Sequence, residues 1–302
     1  MQRSCGLLGY SRQALYKKAH EQEKKFIKAE VILQQVHHIR SKHKRMGVKK
    51  LHIKLESFFK THGIKLGRDA LFDLLREFGM LVKPLKRSHY TTDSYHRFYK
   101  YPSLIKSWSP AAPNQLWVSD ITYIEVKDGF SYLSVITDAF SHKIVGWHLA
   151  KSPTAQASME ALRMALKNNK DIQNLIHHSD RGAQYCSQEY VSLLKSKGIK
   201  ISMTEHGDPY ENAMAERING IIKNEYLDKK YDNDGRLWLD VSKTVRLYNT
   251  DREHMSIGMY TPDYIHQTGM TTKNLWKKKT KQTNHINSKG NNVHAVVSVI
   301  SP

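Results

Sequence analysis

Apolar and polar positions along this chain change period once, near residue 114. Before that point the pattern is helical. Phe26, Ile27, Val31, Ile32 and Val36 fall on one side of a mostly polar stretch from Glu21 to His43, predicting an amphipathic helix. Two shorter helical stretches follow, Val48 to Phe59 and Arg68 to Phe78. A break near Thr61-His62-Gly63 separates them, and Gly79 ends the second. Two short helices about a Gly-containing turn predict a helix-turn-helix, with a purely structural helical hairpin as the alternative. Upstream, LLGYSRQALYKKAHEQEKK (7–25) reads as the second half of another such unit. Gly9-Tyr10 would make its turn, Ser11 its cap, and Arg12 to Lys18 a short basic helix. That unit is clipped in front, as though a preceding helix belonged to another reading frame.

After Asn114 the period shortens. Strands are expected at 115–125, 131–137 and 143–149, a helix at about 154–168, a strand at 172–178 and a helix at 187–197. A short strand (199–203) then leads to a helix after the breaker Gly207-Asp208-Pro209, and a last helix covers about 234–249. Three antiparallel strands followed by alternating helices and strands predict a mixed α/β sheet. Four units follow: a helical DNA-binding region (1–83), a linker (84–113), the α/β unit (114–268) and a tail (269–302). In the linker Lys86, Arg87, Arg97 and Lys100 alternate with Tyr90, Tyr95, Phe98, Tyr99 and Tyr101. Such interleaving suits phosphates and exposed bases, or simply packs a linker on its neighbour. The tail is rich in Lys, Asn and Thr and ends on the apolar VHAVVSVISP.

Charge sharpens this division. Residues 1–100 hold 23 Lys and Arg against 8 Asp and Glu, residues 101–269 hold 19 against 20, and residues 270–302 hold 6 against none. A balanced middle with basic ends implies a polyanion gripped mainly by the ends. Arg68, Lys65, Lys49, Lys50 and Lys54 would face phosphates, and Arg12 lies in the first basic helix. Cys5 and Cys186 are the only cysteines, which excludes a disulfide framework and a Cys-rich zinc site. No apolar run approaches membrane-spanning length and no signal-like segment opens the chain, so a reduced cytoplasmic protein is expected.

Three acids carry the candidate chemistry. Asp120 interrupts an apolar, β-branched strand (QLWVSDITYI, 115–124), where an unpartnered carboxylate costs several kcal/mol. Asp180 ends the apolar stretch from Ile172 to His178, and Glu216 lies on the helix after the breaker. An all-oxygen set of this kind suits hard divalent cations such as Mg²⁺, and two such ions clamp the oxygens of a phosphoryl transfer. Asp138 reads as structural and Glu211 as a helix cap. His177 and His178 point to opposite sides of a strand, so a His-rich zinc centre is not expected. Lys223 falls two helical turns beyond Glu216 on the same face, and could hold a phosphate. Arg217, Asn212 and Asn219 flank that helix, and Arg181 flanks Asp180. All four are candidate DNA contacts.

Thirty-five residues separate Asp180 from Glu216, and Lys223 follows by seven. With HSDRGAQY, NAMAERINGIIKNE, DITYI, ITDAFSHKIVGWHL, YNTDREH and TPDYI, this spacing resembles the Asp–Asp–35–Glu transposases of bacterial insertion sequences. The resemblance is to the OrfB-type product with a retroviral-integrase-like core, and it spans roughly residues 40–266. It implies a ribonuclease-H-like fold with Asp120 on the first strand, Asp180 ending the fourth and Glu216 on a later helix. It also implies an enzyme that binds the ends of a mobile DNA element, nicks them and joins the 3′-hydroxyls to target DNA. Asp120 would serve both of two Mg²⁺ ions (Mn²⁺ able to substitute), Asp180 one and Glu216 the other. The implied partners are double-stranded DNA, further copies of the chain and an upstream-frame protein, in a bacterial, nucleoid-associated setting. Two departures stand out. The chain cannot build the His/Cys zinc module of retroviral integrases, and TEHGDPYENA (204–213) has Glu205-His206 where the family usually shows basic residues. A catalytically idle DNA-binding regulator and a nuclease that cuts without joining are the alternative functions.

Overall fold

A computed structural model describes residues 11–83, 96–106, 108–169, 172–205 and 212–273. The Gly9-Tyr10 turn, residues 84–95 and 107 of the linker, Glu211 and the apolar end of the tail lie outside the described residues.

The helical region opens with α1 (Arg12–Lys42), whose Ser11 hydroxyl accepts the Ala14 N–H at 3.1 Å. Here the structure corrects the sequence reading. The short basic helix and the later polar helix are one helix of 31 residues, roughly 45 Å long. Only Ala19 and His20 lie between Lys18 and Glu21, and neither stops a helix. Three helices follow: α2 (Val48–Lys54), α3 (Glu56–Thr61) and α4 (Arg68–Glu77). Gly63 and Gly79 take the left-handed conformation that ends a helix at φ 62° and 65°. Ile32 and Val36 of α1 pack with Leu51, Leu55, Phe59, Leu71 and Leu75 into a small core.

The sheet has the strand order β3-β2-β1-β4-β5, with β6 beside β1 at its far end. Its strands are β1 (Leu116–Val126), β2 (Gly129–Asp138), β3 (Ile144–Ala150), β4 (Ile176–Ser179), β5 (Lys200–Met203) and β6 (Lys230–Tyr231). β1, β2 and β3 pair antiparallel, while β4 runs parallel to β1 and to β5. This is a ribonuclease-H-like mixed sheet behind an N-terminal helical region, as expected. Both faces are covered, so neighbouring residues serve different cores. Val135 and Ile144 face α8 (Ala213–Ile221) and α9 (Asp234–Thr250). Ile136 and Val145 face α5 (Ala155–Asn168) and α7 (Gln188–Ser196). Gly146 lets β3 meet α5 closely, because a Cβ there would collide with the Ala161 carbonyl and lie 2.9 Å from the Ala165 Cβ.

One strand boundary here differs from expectation. β4 starts at Ile176, because Asn174 turns the chain at φ 58°. The helix expected at 187–197 is α7, and a short α6 (Ala183–Cys186) precedes it, divided from it at the extended Ser187, whose side chain caps α7. A π-helical turn, Ile222–Tyr226, extends α8, and α10 (Pro262–Thr268) closes the described fold.

The helical region docks on the residues of YNTDREH. His43, 4% exposed, hydrogen-bonds the Tyr226 hydroxyl at 2.8 Å and Asp251 at 3.1 Å. Lys54 sits 3.5 Å from Asp251 and 3.4 Å from Glu253. Lys54 therefore serves this junction rather than the phosphate-facing surface expected of it.

Candidate active site

Strand register builds the site. Val118 of β1 lies level with His178 of β4 in the parallel pairing, so two residues further on Asp120 and Asp180 come side by side. Both line one cleft of about 540 Å³ with Tyr123, Gly182 and Gln184. Asp180 is held there by the Gly182 N–H, which donates to Oδ1 at 3.0 Å. Glycine at 182 leaves room for the side chains around it. A Cβ would run into the Gln184 amide and come within 3.0 Å of the Asp180 carboxylate.

Glu216 stands exposed in the first turn of α8. Burial, then Asp180, and to a smaller extent Glu216 raise the Asp120 carboxyl to about 7, against the Asn219 hydrogen bond that lowers it. Burial and then Asp180 also raise Glu216. The three acids thus sense one another, but they are not equally gathered. Among the described residues no three His, Cys, Asp or Glu side chains close into a metal-holding group, and Glu216 lies outside the lining of the Asp120–Asp180 cleft. The donor chemistry nevertheless fits a hard divalent cation. Two carboxylates forced together at the cost of a raised pKa are the groups whose repulsion such a cation relieves.

Asn219 donates from Nδ2 to Asp120 Oδ2 at 2.9 Å and is 4% exposed. It holds a carboxylate instead of reaching for DNA as expected. The available signal was its place three residues after Glu216, on the same helical face. Asn212 is also corrected. It is 5% exposed and donates to the Ser119 carbonyl at 3.1 Å, tying the start of α8 to β1 behind the site.

Lys223 lies on the π-helical turn with Nζ 4.0 Å from the ring centre of Tyr123, itself a cleft residue. Burial lowers its pKa. Arg181 is half-buried beside Asp180, and its carbonyl accepts a hydrogen bond from His96 Nε2 at 2.6 Å. Arg217 is exposed on α8 but lines a different cleft, together with Lys49, Lys50 and Arg68. Arg12 is the first residue of α1. Glu205 pairs with Lys106 and accepts the Ser103 N–H at 3.3 Å.

Both histidines of β4 belong to the core. His177 bonds Ser119 at 2.7 Å and Tyr190 at 2.9 Å, and burial, with His178 beside it, lowers its pKa to about 3. His178 bonds Ser202 at 2.8 Å. Asp138 is structural, accepting the Asn114 N–H at 2.7 Å and the Ser141 N–H at 2.8 Å.

A mixed sheet of this order, with one Asp on its central strand and a second just past the neighbouring parallel strand, defines an integrase-type core. Family models described as integrase core domain match residues 110–209 and 197–262. The chain is 33% identical over 267 residues to a 31 kDa protein of insertion element IS600 from Shigella sonnei, covering 85% of this chain and 95% of that protein. It is 33% identical over 221 residues to the transposase of insertion sequence element IS629 from Shigella sonnei, covering 73% of each. Over 115 residues it is 41% identical to transposase InsF of insertion sequence IS3A from Escherichia coli, covering 38% of this chain and 40% of that one. The chain belongs to the insertion-sequence transposases with an integrase core. Among solved structures it is similar to the HTLV-2 integrase catalytic core domain in complex with magnesium, at TM-score 0.41 and 24% identity over 51% of this chain and 97% of that one. A chain of the simian T-cell lymphotropic virus intasome, solved with PP2A regulatory subunit B56 gamma, matches at TM-score 0.46 and 19% identity, over 77% of this chain and 79% of that one.

Proposed function

We propose that this transposase nicks the ends of its DNA element and joins the freed 3′-hydroxyls to target DNA, using Asp120, Asp180 and Glu216 as its catalytic carboxylates. The presence of Asp120 and Asp180 in a single cleft is the observation that carries this reading. In it residues 114–268 form the catalytic unit, and residues 1–83 grip double-stranded DNA.

In the first step water attacks the scissile phosphorus and the 3′ oxygen leaves with a proton. In the second that 3′-hydroxyl attacks a target phosphate, and one phosphodiester replaces another. Mg²⁺, or Mn²⁺ in its place, held by the three carboxylates would neutralise charge on the phosphate and promote loss of the attacking proton. The chain's own contribution is placement. Asn219 fixes one oxygen of Asp120, and the Gly182 N–H fixes one oxygen of Asp180. Glu216, exposed in the first turn of α8, would be the third carboxylate of the set. Lys223, beside Tyr123, offers a cation to a flanking phosphate.

One observation favours a second reading, a DNA-binding regulator without catalysis: Glu216 lies outside the cleft lining. Labelled element ends, a plasmid target and Mg²⁺ separate the readings. Joined products are expected. Nicks alone would make the chain a nuclease, and a gel shift with neither product would make it a regulator.

A further inference from the structure

A second cleft, of about 650 Å³, lies between the helical region and the face of α8 next to Glu216. Its cations come from stretches far apart in sequence: Lys49 and Lys50 on α2, Arg68 on α4, Arg217 on α8 and Arg252 after α9. Only two carboxylates share the lining. Glu225 is taken up by Arg252 in a two-pronged pair at 2.8 and 2.9 Å, and the exposed Asp69 pairs with Arg68 at 2.8 Å. Lys49, Lys50 and Arg68 also occupy first helical turns, where positive charge opposes the helix dipole. Burial above all, and then Arg252 and Arg217, lower the Lys50 ammonium to about 7, against Glu225 and Glu253, which raise it. The lining thus sets five basic side chains against two carboxylates, a balance that suits an anionic ligand.

We propose that this cleft is a composite DNA site, in which Lys49, Lys50 and Arg217 grip the sugar–phosphate backbone of the same element end whose reacting phosphate enters the carboxylate cleft. The inference rests on the transposase reading above. Arg217 directly follows Glu216 on α8, so a strand held in one cleft is passed around the helix to the other. Phe72 and Ile221 give the cleft an apolar floor, which suits the faces of deoxyribose. The site exists only while the helical region stays docked, so end recognition and catalytic placement become one event.

Fluorescence anisotropy of a labelled duplex element end, bound to the full chain across a salt series, tests this. Lys50→Gln and Arg217→Gln should each lower the steepness of log affinity against log salt by about one, and the double variant by about two. Lys50→Arg should restore it. Lys197→Gln, on α7's side of the sheet, should leave it unchanged. In the wild-type chain the same DNA should slow amide exchange over Gly47–Leu51, a readout that needs no substitution. Wild-type binding with unaltered slopes in both variants, or unaltered exchange at Gly47–Leu51, would overturn the composite site and leave the transposase reading standing. Failure of the wild-type chain to bind element ends would overturn both.

Discussion

Asp120 shows how a functional residue opposes the strand that holds it. Its neighbours Val118, Ser119 and Ile124 are buried, and its own carboxyl is raised to about 7 by burial, by Asp180 and by Glu216. The unfolded carboxyl sits near 4, so between pH 4 and 7 the folded chain binds more protons than the unfolded one. This group's contribution to stability therefore falls as pH rises through that window and stays low above it. In Mg²⁺-free buffer Asp120→Asn should melt at a higher temperature than wild type at pH 8, with the gap closing toward pH 5. A variant less stable than wild type at pH 8 would contradict the electrostatic account. The same substitution should lower cleavage by on the order of 10²-fold or more while leaving binding of element ends near wild type, as a gel shift beside a nicking assay would show. Asn219 permits a finer test, because its hydrogen bond lowers the Asp120 carboxyl. Removing it by Asn219→Ala should move the acidic limb of the pH–rate profile to higher pH. A purely packing role would reduce the rate without moving that limb.

At the scale of elements, legibility followed local pattern. β1, β2 and β3 were readable from their apolar and β-branched runs, and Asp120 from being the wrong residue in one of them. The continuity of α1 was missed because a cap-like Ser11 and a basic stretch mimic a separate short helix, and only the lack of any breaker near Ala19 argues otherwise. No sequence periodicity marks the π-helical turn at Ile222–Tyr226, since it is imposed by what α8 must reach. Arg252, 4% exposed, grips Glu225 of that turn with two hydrogen bonds and links it to the end of α9. The partnership spans 27 residues and needs the fold to become visible. Arg252→Ala should cost about 2–4 kcal/mol, read by chemical denaturation, because it leaves a half-buried carboxylate without its counter-charge. Arg252→Lys should recover only part of this, since one ammonium cannot make the paired contact.

Over the whole molecule, basic charge is concentrated in the helical region while the acids of the site lie in the sheet unit, so their relative placement decides what DNA can reach. Asp251 is the hub of that placement, meeting both His43 and Lys54 from the helical side. With a hydrogen bond to the buried His43 and the opposite charge of Lys54, it outweighs the exposed Lys44–Asp228 pair, whose worth in water is at most about 1 kcal/mol. Asp251→Ala removes the one carboxylate that His43 and Lys54 share, leaving Tyr226 to His43 and Glu253 to Lys54. Amides over His43–Lys54 should then exchange faster with solvent, while those of β1 and β2 keep their protection. Local loosening of this kind separates docking from folding, because the helical region retains its own Ile32–Leu75 core. Equal acceleration in the sheet would instead mean that the two units unfold together, and Asp251 would be part of a single cooperative core.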